Sequence, residues 1–145
     1  MKKVFIFPVN SLILYDLVER FGHKPLAMME KIHEKVRNPE IDSPPYNLTS
    51  EEPRKGLRYA AVEVPSGVRG RLALMGPLIE EAEAAILVND ADIAFGCSGC
   101  ARANELIQHL VHERRIPTLA LSYPKNKEEA EVFVKKIADF LKTLE

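Results

Sequence analysis

Four short, mostly apolar runs recur along the chain, and each is followed by a segment in which apolar residues are spaced as on a helix. The runs are Val4–Phe7, 59–64, Ala84–Val88 and Thr118–Ser122. Such runs, rich in β-branched side chains, are typical of strands covered on both faces. Strands that alternate with helices predict a parallel sheet with right-handed crossovers.

The spacing of apolar residues predicts the helices between these strands. Asn10 or Ser11 can cap a first helix, in which apolar residues from Leu12 to Phe21 surround most of the axis and predict burial. Pro25 suits the first position of a second helix. An edge strand from Leu26 to Met29 is the competing interpretation.

The second half of the chain predicts three more helices. One starts near Leu72 and contains Pro77, one runs from about Cys100 to Arg114, and a charged helix ends the chain. The buried stripe of the final helix is predicted to contain Ala130, Phe133, Val134, Ile137 and Leu141.

These elements predict the α/β class, as a three-layer sandwich around a mostly parallel four-stranded sheet, Rossmann-like or flavodoxin-like. The 145 residues suit a single domain over residues 1–145. Residues 38–58 contain four prolines and are predicted to form a long loop, with a short helical turn that Gly56 could end.

Parallel sheets of this kind bind ligands beyond the carboxyl ends of their strands. Four loops are therefore expected to meet at one rim. They are the turn at Asn10 and Ser11, the connection 65–71, the segment 89–100 and the turn at Ser122.

Composition narrows the class of function. The net charge of −1 gives no global attraction to nucleic acid or to an anionic membrane. Two cysteines in one Cys-x-x-Cys are not a disulfide framework and indicate a reducing compartment. The apolar N-terminus is interrupted by Pro8 and Asn10 and is not followed by a cleavage site, which disfavours export. No apolar run is long enough to span a membrane.

The cysteines lie in the segment Phe95–Cys100, between a predicted strand and a predicted helix. The positive end of a helix stabilises a thiolate, which would make Cys97 an attacking thiol and Cys100 a resolving one in a catalytic dithiol. The same pair could hold a metal ion or an iron–sulfur cluster, with Asp90, Asp92, a histidine or a second subunit completing the ligands. A third interpretation is that both residues simply pack a tight turn.

The connection after Pro65 combines glycines, which allow close backbone approach, with arginines, which favour phosphate or carboxylate. It lacks the Gly-Lys-Ser/Thr ending of a P-loop. Its alternative interpretation is a solvated turn. The predicted ligand-binding residues of the whole rim are Asn10, Ser11, Ser66, Gly67, Arg69, Gly70, Arg71, Ser98, Gly99 and Arg102.

Other titratable residues give weaker signals. The histidines at positions 23, 33, 109 and 112 lack metal-ligand spacing with the cysteines, and His109 and His112 are predicted to lie at the surface. Glu63 is interpreted as a structural or solvated carboxylate.

Four segments together resemble one family: 4–11, 63–71, 76–83 and 95–102. In these residues the chain resembles methanogenesis marker protein 5, a family of methanogenic archaea. The resemblance implies a cytoplasmic protein of a strict anaerobe, linked to methyl-coenzyme M reductase or its maturation. It assigns no reaction and no catalytic residue.

Three hypotheses about function follow, and whether the protein is an enzyme stays open. The first is an accessory protein that uses Cys97 and Cys100 for metal, cluster or redox work beside a Gly-Arg loop that binds an anionic partner group. In this hypothesis the subunits of a homo-oligomer can share the metal or cluster. The second is a non-catalytic module that binds a phosphate-bearing or acidic small ligand. The third is an assembly protein that docks a partner through residues 38–58.

Overall fold

The structure is a computed structural model that describes residues 1–36, 51–89 and 98–144. Its strands are β1 (Lys3–Phe7), β2 (Lys24–Leu26), β3 (Ala84–Asn89) and β4 (Thr118–Ser122). Its helices are α1 (Leu12–Arg20), α2 (Met28–Val36), α3 (Glu51–Lys55), α4 (Ser66–Glu81), α5 (Ser98–Glu113) and α6 (Lys127–Lys142), with a 3-10 turn at Gly56–Arg58.

The described residues divide into two compact units. The sheet unit contains residues 1–27, 81–89 and 115–144, and therefore all four strands with α1 and α6. The helical unit contains residues 28–36, 51–80 and 98–114. The prediction that residues 1–145 form one domain stays a prediction.

The sheet is wholly parallel, in the order β2-β1-β3-β4. Val4 pairs with both Pro25 and Ala84, and Ala85 pairs with Thr118. The inner strands β1 and β3 form the core of the sheet, and Val4 to Ile6 and Ala84 to Ile86 are fully buried. The predicted α/β class and four-stranded parallel sheet are confirmed.

Helices α1 and α6 contact each other, and α1 also packs on β1 and β2 while α6 packs on β4. Leu14 and Val18 are the buried residues of α1. The prediction that α1 is buried on most of its surface is wrong, because Leu12 and Ile13 are 69% and 63% exposed. Hydrophobicity all round a helix does not show how much neighbouring surface is available to cover it.

The buried stripe of α6 is narrower than predicted. Ile137 and Leu141 are fully buried, but Val134 is exposed and Phe133 is half-buried. A single sheet face contacts only part of a helix surface, so some residues of the apolar stripe are not covered by the sheet.

The second predicted strand does not form. Residues 59–64 make turns, in which Tyr59 and Ala60 donate their N–H groups to the Gly56 carbonyl. Val62 is 66% exposed. The backbone is satisfied locally by these turns, and the apolar pattern alone could not distinguish this outcome from a strand.

The position of that strand in the sheet is taken by β2. The chain forms the alternative edge strand, at Lys24–Leu26 instead of Leu26–Met29, and the helix begins at Met28 rather than at Pro25. Pro25 lies at the edge of the sheet, where its missing N–H leaves no ladder bond unmade.

The predicted connection 65–71 is also wrong, because α4 begins at Ser66. The Pro65 carbonyl accepts hydrogen bonds from Val68 and Arg69, which starts the helix. Pro77 lies inside α4. In the predicted loop 38–58, residues 51–58 form α3 and the 3-10 turn, and the rest lies outside the described residues.

Candidate functional site

The strand order locates the crevice at which a doubly wound sheet binds ligands. From β1 the chain crosses to β2 on one side, and it returns to β3 on the other side of β1. The order therefore reverses between β1 and β3, and the carboxyl ends of these two strands, at Phe7 and Asn89, define the candidate site.

The turn after β1 supplies one wall of this crevice. Phe7 lies beside Leu87, so the turn emerges next to the last residues of β3. The Ser11 N–H donates to the Pro8 carbonyl at 3.1 Å, and the Ser11 hydroxyl accepts from the Leu14 N–H at 3.3 Å. Ser11 is thus the predicted N-cap of α1. Asn10 is exposed.

The carboxyl ends of β3 and β4 are fastened together at the same rim. The Asn89 carbonyl accepts the Tyr123 N–H at 2.9 Å, one residue beyond the end of β4. The chain continues from Asn89 into residues 90–97, which contain Asp90, Asp92 and Cys97 and lie outside the described residues.

The Cys-x-x-Cys motif reaches the start of α5. Ser98, Gly99 and Cys100 are the first three residues of this helix, which starts two residues before the predicted start near Cys100, and Cys97 immediately precedes them in the chain. A helix N-terminus favours thiolates in general, through its free N–H groups and the helix dipole. Arg102, on the first turns of the same helix, is exposed.

The Gly-Arg residues lie on the first turns of α4 instead of a loop. The Arg69 guanidinium donates Nε–H to the Val64 carbonyl and Nη1–H to the Pro53 carbonyl, each at 3.0 Å. It therefore ties α3 to the start of α4. Ser66 and Gly67 are exposed, Gly70 is buried and Arg71 is half-buried.

The predicted site residues are distributed over both units. Asn10 and Ser11 belong to the sheet unit, whereas the residues from α4 and α5 belong to the helical unit. Cys97 lies outside the described residues. The meeting of all these residues at one rim stays a prediction.

One cluster of charged and aromatic side chains was missed by sequence reasoning. Arg58 and Glu80 form an ion pair at 2.9 Å, and the Arg58 guanidinium lies 5.8 Å from the centre of the Tyr59 ring. They line a cavity of about 280 Å³ within the helical unit, together with Gly76 and Leu110. Local pattern offers no signal for this cluster, because it predicts a strand at Tyr59.

The environment of Tyr59 changes its acidity. Burial of the ring and the neighbouring Glu80 carboxylate both raise the pKa of Tyr59 above 10.0, and the Arg58 cation opposes them. The phenol therefore stays protonated and can donate a hydrogen bond to Glu80. Glu63, in the same connection, is exposed, in agreement with its solvated interpretation.

The histidines do not supply a metal site. In residues 1–36, 51–89 and 98–144, no three histidine, cysteine or acidic side chains are grouped to hold a metal ion. His109 and His112 are exposed, as predicted. His23, in contrast, is only 6% exposed, and its ring bonds to two backbone groups.

Fold and crevice together define an α/β protein with a flavodoxin-like strand order and a candidate ligand site at the β1–β3 switch point. A family model described as "Uncharacterized protein conserved in archaea" (DUF2112) matches residues 2–144. The chain therefore belongs to this archaeal family.

A curated relative supports the same assignment. The uncharacterized protein MJ0404 of Methanocaldococcus jannaschii is 70% identical over 145 residues, which are all of this chain and 97% of the relative. No solved structure matches the chain. Within the part of the chain that the structure describes, no helix is both long and apolar enough to cross a membrane.

Proposed function

We propose that the protein is a cytoplasmic accessory protein of methanogenic archaea that binds a metal ion or an iron–sulfur cluster through Cys97 and Cys100. The observation that carries the proposal is the strand order. Doubly wound sheets bind ligands where the strand order reverses, and the Cys-x-x-Cys segment departs from β3, one of the two strands at that point.

Chain length keeps the cysteines within reach of this crevice. Cys97 follows Asn89 by eight residues, and Cys100 is the third residue of α5. An extended chain spans at most about 3.5 Å per residue, so Cys97 lies within roughly 28 Å of the end of β3. The motif is therefore carried by one of the two connections that leave the switch point toward a helix N-terminus.

The number of thiolates constrains the site. Structural zinc and cluster sites usually take four protein ligands, and this chain has two cysteines. The remaining ligands come from a second subunit, from carboxylates such as Asp90 and Asp92, or from an external molecule. A site with open coordination positions suits transfer of a metal or cluster to a partner.

The proposal also includes a binding site for an anionic group of a partner, at the turn after β1. The first N–H groups of α1 begin beside this turn, and the exposed Asn10 lies next to the cap residue Ser11. Arg69 is less suited to this role, because two of its donors are bonded to carbonyls of the helical unit.

The biological setting of the proposal is methanogenesis, with proteins of the methyl-coenzyme M reductase system as partners. A relative of 70% identity in Methanocaldococcus jannaschii and the resemblance to methanogenesis marker protein 5 support it. Anaerobic conditions keep thiolates reduced and available to a metal.

Anaerobic reconstitution tests the metal site. The full chain is incubated with ferrous iron and sulfide, or with zinc, and the bound metal per chain is measured together with the absorption spectrum. We expect loss of binding in Cys97→Ser and in Cys100→Ser. Glu105→Gln, at an exposed position further along α5, changes no thiol and is the matched control.

Two results would overturn the proposal. One is metal binding that is unchanged in both cysteine variants. The other is a metal-free protein whose Cys97 and Cys100 interconvert reversibly between thiols and a disulfide, which would assign the motif to dithiol redox chemistry instead. Stabilisation by phosphate in a variant lacking both cysteines would favour a plain anion-binding module.

A further inference from the structure

Among the residues that the structure describes, no strand pairs with the outer edge of β4. Ala85 donates to the Pro117 carbonyl and the Asn89 carbonyl accepts from Tyr123, so the alternate residues of β4 bond to β3. Thr118, Ala120 and Ser122 turn their backbone N–H and C=O groups away from β3. No described residue bonds to these groups. An open edge is a template for a further strand.

Beside this edge runs a groove of about 690 Å³ within the sheet unit. Its strand side is formed by residues 120–125. Its helix side is one stripe of α6, and the members of this stripe are Glu128, Glu129, Val132, Phe133 and Lys136. Val132 is 52% exposed and Tyr123 is 45% exposed, so apolar surface is open to solvent in the middle of the groove.

We infer that this surface binds a second copy of the chain, so that two β4 strands pair in antiparallel orientation and two α6 helices lie side by side across a two-fold axis. The observation that selects a second copy as the occupant is the self-complementary sequence of α6. A two-fold interface brings the same patch of both protomers together.

Charged residues of α6 lie at equal distances on either side of Val132, as a two-fold axis requires. Antiparallel helices that cross at Val132 place Glu128 opposite the partner's Lys136, because each residue lies four positions from Val132. Neither side chain has an ion-pair partner within the described residues. The symmetry therefore forms two opposite-charge pairs, one on each side of an apolar centre.

The sequence of β4 is compatible with the same axis. Pairing centred on Ala120 places Thr118 opposite the partner's Ser122. The backbone groups of Thr118, Ala120 and Ser122, which point away from β3, then all form hydrogen bonds with the partner strand. It also places Leu119 opposite the partner's Leu121. Both leucines are only half-buried in one protomer, in contrast to the buried residues of β1 and β3.

The proposed interface runs along all five residues of β4 and the adjacent part of α6. Five residues of β4 extend about 17 Å and the 16 residues of α6 extend about 24 Å. Specific interfaces bury about 1,200 Å² or more in total. The dimer would join two four-stranded sheets into one continuous sheet and remove the exposed edge at β4.

The mass of the full chain in solution is the first test. Sedimentation velocity and light scattering should give twice the 16.3 kDa of one chain. A protein that stays monomeric at every accessible concentration overturns the inference.

Charge reversal tests whether α6 forms the interface. Glu128→Lys and Lys136→Glu should each raise the dissociation constant of the dimer roughly tenfold, because each change puts like charges in contact twice. The double variant should regain most of the affinity, since the symmetry restores both pairs with reversed sign. Lys24→Glu, on the opposite edge of the sheet, is the matched control and should leave the affinity unchanged.

Hydrogen exchange and a proline substitution test whether the two β4 strands pair. The Ala120 and Ser122 amides should be protected from hydrogen exchange in the dimer and lose this protection in Glu128→Lys. Ala120→Pro removes an N–H that has no acceptor in the protomer and should give a folded monomer. A dimer of unchanged affinity in the charge variants and in Ala120→Pro overturns the inference. So does protection that appears only when an extended segment of another protein is added.

Discussion

His23 and Leu141 are hydrogen-bonded at 2.9 Å although 118 residues separate them in the chain. The Nδ1 atom of the same ring accepts the Lys2 N–H at 3.2 Å, so the proton is on Nε2, which donates to the Leu141 carbonyl. One buried imidazole thus connects the N-terminus, the entry to β2 and the last turn of α6.

Replacing His23 should destabilise the sheet unit. His23→Leu leaves the Lys2 N–H without its acceptor and removes the imidazole donor from the Leu141 carbonyl, which keeps the Leu144 N–H. We expect a loss of about 1–3 kcal/mol in the free energy of unfolding. Urea denaturation measures it. His112→Leu, at an exposed histidine, is the control and should change stability by less than about 0.5 kcal/mol. Equal effects of the two substitutions would contradict this role.

Gly76 is expected to tolerate no side chain. A Cβ atom there would overlap the Tyr59 ring, although alanine favours helices more than glycine does. We expect Gly76→Ala to lower stability by about 1–3 kcal/mol. In the same helix, a Cβ at Gly67 would meet no atom, so Gly67→Ala should be neutral or stabilising by up to about 1 kcal/mol. The cost of Gly76→Ala should nearly vanish in a Tyr59→Ala background.

Arg69 is expected to act as a structural clamp. Arg69→Met leaves the Val64 and Pro53 carbonyls without their donor and should cost about 1–3 kcal/mol. Arg54→Met, at a neighbouring exposed arginine, is the control. Thermal unfolding with and without phosphate distinguishes this structural role of Arg69 from a role in anion binding. Unchanged stability combined with lost phosphate stabilisation would show that it binds an anion instead.

Glu83 gives stability a defined dependence on pH. Hydrogen bonds from the Lys3 N–H and then the Lys2 ammonium lower the pKa of Glu83 below 4.5. Because the folded-state pKa is depressed, this stabilisation is present above pH 4.5 and is lost as the pH falls through the folded-state pKa.

The matched substitution measures this contribution. The difference in stability between the wild-type chain and Glu83→Gln should be largest at neutral pH and should vanish in acid. Glu19→Gln, at an exposed helix position, should show no such difference. A difference between wild type and Glu83→Gln that is independent of pH would exclude the carboxylate as its source.

Much of the sheet was predictable because buried parallel strands have a strong signature. The apolar runs of β1, β3 and β4 predicted those strands, and the polar Asn10 and Ser11 predicted the N-cap of α1. The short edge strand β2 contains only three residues, one of them a proline, and could not be preferred over a helix from local pattern alone.

Other parts of the chain depended on tertiary contacts that local pattern does not show. The run 59–64 resembles a strand but meets no neighbouring strand, and Arg69 resembles an anion ligand but is bonded to carbonyls. The burial of His23 results from the position of Leu141, more than a hundred residues away. For the candidate site, the sequence predicted the cap residue Ser11 and a helix that carries Cys100, whereas the common rim stays a prediction. It gave no signal for the Tyr59 cluster.

The long sequence separation between the paired strands β1 and β3 has a consequence for how the protein folds. Val4 and Pro25 are close in the chain and can associate early, but Val4 must also pair with Ala84, eighty residues away. Closing so long a segment is entropically costly and slows folding relative to proteins with local contacts. During synthesis one edge of β1 in the N-terminal βαβ segment therefore stays unpaired until β3 has left the ribosome.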